Sequence, residues 1–223
     1  MKQPPASRLP PPVYGGERGE SEGTKMIGFS LSSEQVSLQR LAHEFAEREI
    51  APAASHYDRT AEFPWPIFNK AYELGLINLS VPEEYGGPGV SVLDECIINE
   101  ELSWACAGIS GALGMNSVAA LPILIDGTEQ QKQKYLRRLT TERQIASYAV
   151  TEPGAGSDVA SIQATARRIG DEYILSGTKS FISNGSYANF FVVFAFVEKE
   201  KRHDGMSAFI VEREWPGVSV GRK

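Results

Sequence analysis

The chain has 223 residues, of which 42% are hydrophobic and 22% charged, and its 22 basic and 28 acidic side chains leave a net charge of −6. That is enough apolar material for one large or two modest cores. The acidic balance excludes a general binder of nucleic acid or anionic membrane, which needs a basic face to displace counterions.

Residues 1–25 hold five prolines and four glycines, with almost no large apolar groups to offset the entropy of ordering, so residues 1–31 read as a disordered tail. The tail has no apolar core of a secretory signal, and Glu17, Glu20 and Glu22 argue against a mitochondrial transit peptide. From Ser32 the pattern turns helical. Ser32 and Gln35 have capping-box spacing, and Leu38, Leu41, Ala42 and Phe45 recur with helical period. That run fades at Ala51 and Pro52. A second helix is predicted from Pro64, Trp65 and Pro66 to Gly75, followed by a loop over 81–89. Ser91 opens a third helix carrying Val92, Cys96 and Leu102, and 108–125 reads as a fourth that Pro122 should bend or break. Thr128 with Gln131 is a further capping box, launching a helix to Leu139.

After about Arg143 the texture changes. The stretches 145–150, 161–169, 173–175, 190–197 and 207–211 are β-branched or aromatic runs between turn residues, with Gly170 and Asp171 placed as a hairpin connection. Helices first and strands afterwards predict an α+β fold, with an all-helical domain over 32–143 and a β-sheet or barrel-like domain over 144–223. The longest unbroken apolar run, 190–197, is too short to cross a bilayer. Cys96 and Cys106 cannot build a disulfide framework or a zinc cage by themselves, and read as buried thiols in a reducing compartment, the cytoplasm or, in a eukaryote, the mitochondrial matrix. His43, His56 and His203 share no metal-ligand spacing.

Two stretches carry chemistry. In 148–158 a strand runs into a loop with Gly154 and Gly156, whose small size lets backbone amides approach a ligand, while Thr151 and Ser157 supply hydroxyls. This is not the dinucleotide fingerprint, which needs a third glycine and a following helix, and on composition alone a capped surface turn, with Asp158 bonding its own backbone, is the better fit. In 177–185, alternation puts Phe181 and Ser183 on one face of a strand and Ile182 on the other. An aromatic plane beside a hydroxyl suits a flat heteroaromatic ring. Taken alone, a core phenylalanine beside the Asn184–Gly185 turn is the simpler reading.

The order of these motifs resembles the acyl-CoA dehydrogenases. The resemblance is carried by Ala149-Val150-Thr151-Glu152 with Gly154-Ala155-Gly156-Ser157-Asp158. It continues through Pro82-Glu83-Glu84-Tyr85-Gly86-Gly87, Glu100-Glu101-Leu102, Gly127-Thr128-Glu129-Gln130-Gln131-Lys132, and Gly177-Thr178-Lys179 to Asn184-Gly185. It runs from Ser32 to Lys223 and looks closest to short- and medium-chain members. The resemblance implies FAD as cofactor, held by Tyr148, Val150, Thr151, Gly156 and Ser157 from one segment and by Phe181, Ile182 and Ser183 from the other. Ser157 would also touch the acyl-CoA thioester. Many relatives carry Trp where this chain has Phe181 and Thr where it has Ser183, changes that keep a plane and a hydroxyl.

By the same resemblance the reaction is α,β-dehydrogenation of an acyl-CoA, with an electron-transferring flavoprotein as acceptor and a homo-oligomer, commonly a tetramer, as the assembly. The family's glutamate base comes from a carboxy-terminal helical bundle, which these residues do not match. The expectation is therefore a partial chain without turnover of its own, and no catalytic residue is assigned. The alternatives are a non-catalytic fragment, one subunit of a split flavoprotein, or an acyl-CoA oxidase.

Overall fold

Ser32 opens the first helix as its spacing to Gln35 predicts. In the computed structural model, which describes residues 30–221, the Ser32 hydroxyl accepts the Gln35 N–H and the Gln35 side chain accepts the Ser32 N–H. Two orphan donors at the helix start are thereby satisfied. Helix α1 is Ser33–Phe45, and it runs on through a π-helical stretch, Ala46–Ile50. Helix α2, Ala54–Thr60, was not predicted. It buries none of its residues, so it has no apolar stripe to read. Helix α3, Trp65–Glu73, stops just before Gly75, whose φ of +69° is the left-handed turn that glycine adopts without a Cβ penalty. The expected loop over 81–89 contains a 3-10 turn, Glu83–Tyr85, and buries Val81 and Tyr85.

The two helices expected after Ser91 form one run, α4, Val92–Asp126, in which Cys106 alone leaves helical geometry (φ −164°, ψ 110°). Ser103 Oγ donates to Ser110 Oγ across that interruption at 2.9 Å. Pro122, which fixes a helical φ but forfeits one hydrogen bond and crowds the preceding turn, does not end the helix, which runs on to Asp126. By length and composition α4 could span a membrane, which unbroken apolar runs had not revealed. Here its Ile98, Leu102, Ile109 and Leu113 pack with residues of α1 and α3 in one core. Its later Ala119, Ala120 and Ile123 pack with α5, Glu129–Thr140, and with the sheet. Cys96 is exposed and Cys106 half-buried, which corrects the expectation of two buried thiols: both lie on an apolar helix, but Cys96 is on its outer side beside the buried Ile97 and Ile98.

The second half is a five-stranded mixed sheet among the described residues. Its strands are β1, Ala146–Ala149, β2, Thr165–Ile169, β3, Glu172–Ser176, β4, Phe190–Phe196, and β5, Met206–Glu212. Strand β4 is central, with Phe190, Val192, Ala195 and Phe196 buried, which explains its continuous apolar run. Strand β5 pairs antiparallel along all of β4, from Phe190↔Glu212 to Phe196↔Met206. Strands β1 and β2 share the other edge of β4, both parallel to it, β1 from Ala146↔Phe190 to Ala149↔Val193 and β2 at Thr165↔Phe196. The β2–β3 hairpin turns at Gly170 and Asp171 as expected, with Ile169 opposite Glu172. The architecture is thus α+β, helices followed by a mixed sheet. The expected tail falls outside the described residues except for its last two positions.

Candidate functional site

Because β1 and β2 lie on the same edge of β4, the chain leaves that edge after Ala149 and returns to it at Thr165. The excursion between them is closed at its neck by a side chain. Glu152, 7% exposed, accepts the Gln163 N–H at 2.6 Å through Oε2 and the Ala164 N–H at 2.9 Å through Oε1. Its own backbone exchanges two hydrogen bonds with Ala155, at 3.0 and 3.1 Å, so the loop turns tightly before its tip. At that tip Gly154, Gly156, Ser157 and Asp158 are exposed, and a Cβ added at Gly154 or Gly156 would meet nothing within 4 Å. Asp158 is engaged by the Ser161 hydroxyl.

The second stretch is not the strand that alternation predicted. Residues 177–185 form no strand, and Phe181 (φ +55°) and Asn184 (φ +60°) are left-handed. A left-handed residue breaks the period-2 alternation that would put Phe181 and Ser183 on one face. The segment is fastened to β1 and its loop by isolated bonds in place of a ladder. Lys179 Nζ donates to Val150 O at 2.9 Å, Ser180 N to Thr151 O at 2.9 Å, and Ser147 Oγ to Ser183 O at 2.8 Å. Asn184 Nδ2 reaches Ala112 O on α4 at 2.8 Å. The expected turn is present, Gly185 N donating to Ile182 O at 3.0 Å. Gly177 passes so close to the loop neck that a Cβ there would lie 2.6 Å from Ala164 Cβ.

The structure therefore brings the neighbourhoods of Thr151 and Ser183 together. Val150 is buried, Thr151 and Ile182 half-buried, and Gly156, Ser157 and Ser183 exposed. The Phe181 ring is 92% exposed, an unusual cost for an aromatic side chain and one that a flat partner would remove. Tyr148 goes elsewhere. Its ring packs on Phe194 at 5.1 Å and lines a groove of about 1100 Å³ between α4, α5 and the sheet, which includes none of the other seven candidates. The remaining candidates lie on two adjoining segments that form an open surface.

Sequence reasoning missed the pair that joins them. Lys179 Nζ lies 2.8 Å from Glu152 Oε1, and both side chains are nearly buried, at 11% and 6% exposure. Burial pushes the Glu152 carboxyl up, but the Lys179 ammonium and the Gln163 and Ala164 N–H groups outweigh it and hold the group below the usual carboxylate range. The one available signal was a lysine and a glutamate set among small and hydroxyl residues. Ser180 Oγ is buried without a hydrogen-bond partner among the described residues. An exposed aromatic plane, open glycine backbone and several hydroxyls suit a flat ring system with polar edges. The loop's own carboxylates, Glu152 and Asp158, are both engaged and are not poised as free bases.

The family model for the acyl-CoA dehydrogenase N-terminal domain matches residues 32–143, and that for the acyl-CoA dehydrogenase middle domain matches residues 147–223. The chain is 40% identical over 203 residues to a probable medium-chain specific acyl-CoA dehydrogenase of Caenorhabditis briggsae, covering 90% of this chain and 50% of that protein. It is also 40% identical over 205 residues to an acryloyl-CoA reductase (NADH) of Anaerotignum propionicum, covering 91% and 52%. Among solved structures, an acyl-CoA dehydrogenase complexed with FAD from Bacillus anthracis superposes with a TM-score of 0.74 at 36% identity, over 86% of this chain and 33% of that one. The chain spans about half the length of the curated relatives it matches.

Proposed function

The chain belongs to the acyl-CoA dehydrogenase family, and from that premise we propose that it contributes the helical and sheet portions of a flavin-dependent enzyme acting on acyl-CoA thioesters. In this reading residues 32–143 and 144–223 are its two domains, and FAD lies against the surface made by 150–157 and 181–183. The observation that carries it is the adjoining of those two segments through Ser180 N and Thr151 O at 2.9 Å, with the Phe181 ring exposed beside them.

When bound, FAD would supply the two-electron acceptor for α,β-dehydrogenation. The chain's own part is binding and orientation. Phe181 offers a face for stacking, Thr151, Ser157 and Ser183 offer hydroxyls to polar edges, and the backbone at Gly154 and Gly156 stays open to close approach. Ser157, at the exposed loop tip, would take the thioester end of the substrate in this reading. The α-proton needs a base, and neither Glu152 nor Asp158 is free to be one. In this reading the base is not on the loop.

Titration of FAD into the purified chain, followed by flavin fluorescence and visible circular dichroism, tests the reading. Saturable one-to-one binding is expected, and Ser183→Ala should weaken it about fivefold, the worth of one hydrogen bond of about 1 kcal/mol. Acyl-CoA added anaerobically should leave the bound flavin oxidised. A wild-type chain that shows no FAD binding sinks the cofactor assignment. Bleaching of the flavin by acyl-CoA sinks the statement about the base.

A further inference from the structure

The residues assigned to the flavin sit on two stretches with little regular structure. The loop between β1 and β2 has one two-residue bridge, Glu152 with Ala155, and 177–185 has left-handed residues in place of a ladder. Such backbone holds a fixed shape only where other groups supply its hydrogen bonds. Here four hydrogen bonds converge on one pair. The Glu152 carboxylate closes the loop neck onto Gln163 and Ala164. The Lys179 ammonium then binds that same carboxylate and the carbonyl of Val150. A single buried ion pair thus touches both ends of the first loop and the start of the second. One residue along from each partner, Ser180 N meets Thr151 O.

We propose that Lys179 and Glu152 are positioning residues that lock the two segments into one preformed surface before the cofactor arrives. The inference rests on the flavin reading of that surface. Neither side chain is assigned a contact with the cofactor; they act through Thr151, Ser157, Phe181 and Ser183, whose spacing they set. A preformed site gains affinity by removing the ordering cost that a loose one pays on binding. Losing either partner leaves the other as an uncompensated buried group, so each single change opens the same clasp.

A double-mutant cycle on FAD affinity tests this in the full chain, using Lys179→Met, Glu152→Gln and the double variant. Each single change should weaken FAD binding at least tenfold and alter the visible circular dichroism of the bound flavin. The double variant should be no weaker than the worse single one, because one clasp is lost only once. Arg138→Met, which breaks a comparably buried ion pair between α5 and β5, is the control for general destabilisation and should leave FAD affinity unchanged. Singles that bind like wild type, additive losses, or an equal loss in Arg138→Met each overturn the proposal. Amide hydrogen exchange in the wild-type chain keeps it testable if the variants do not fold. The Ala164 and Ser180 N–H groups should open together with one free energy, and independent opening overturns the clasp. A wild-type chain that does not bind FAD, yet shows the joint opening, refutes the flavin reading and leaves the coupling of the segments standing.

Discussion

Asn116 is 1% exposed in the middle of α4, and its amide is engaged on both sides. Nδ2 donates to Asn78 Oδ1 and to Gln144 O, each at 3.0 Å, and Oδ1 accepts the Ala146 N–H at 2.9 Å. Asn78, left-handed at φ +57°, passes the network on to Leu139 O at 2.9 Å. One side chain thereby ties α4 to the start of β1 and, through Asn78, to the end of α5. Asn116→Leu should cost about 2–4 kcal/mol in urea unfolding, since it strands a backbone N–H and two oxygens in the interior. A loss below about 1 kcal/mol would show that these groups find other partners. Nothing around Met115, Asn116 and Ser117 marks this role in the sequence, because a buried asparagine is recognised only by what surrounds it. Phe181 was misread for the opposite reason: Phe181-Ile182-Ser183 alternates like a strand, and only the observed φ of +55° removes that reading.

Helix starts were legible because capping chemistry is local. Ser32 with Gln35 and Thr128 with Gln131 form full capping boxes, and Ser91 forms another with Asp94. The first is also tied into tertiary structure, Gln35 Nε2 donating to Asp94 Oδ1 at 2.9 Å. Among the described residues the Thr128 box has no such partner, so Thr128→Ala isolates the cap itself. It should destabilise the chain by about 1 kcal/mol in thermal or urea unfolding, and an unchanged midpoint would mean that solvent caps α5 as well. Helix α2 escaped prediction because Pro52 interrupts the pattern and α2 buries nothing. The interruption at Cys106 escaped it too, since the apolar sequence on both sides continues without a signal.

The helical part and the sheet are joined electrostatically as well as by packing. Arg138 Nη1 lies 2.6 Å from Glu212 Oε1, which also accepts the Tyr135 hydroxyl at 3.0 Å and has Lys134 Nζ at 3.3 Å. The Arg138 hydrogen bond is the main force holding the Glu212 carboxyl below its ordinary range. A carboxyl depressed on folding contributes stability that is complete above the unfolded-state pKa and is lost as pH falls through the lower folded value. Stability should therefore decline below about pH 4.3, and Glu212→Gln should flatten that acid limb while costing about 1.5–3 kcal/mol at neutral pH. An acid limb as steep as that of wild type would place the proton uptake elsewhere. Glu152 is depressed in the same direction and should retain part of the acid sensitivity in the Glu212→Gln variant.

What the sequence determined by itself was local or cumulative. It placed the caps, the strand runs, the Gly170–Asp171 turn and the order of motifs that points to a family, because each depends on residues a few positions apart or on many weak matches added together. Tertiary structure alone decided that β1 and β2 share one edge of β4, that Glu152 closes the gap between them, and that Lys179 reaches back 27 positions to bind it. Periodicity states that a side chain is turned inward. It does not state what it will meet there, because a partner far along the chain is chosen by how the whole molecule packs.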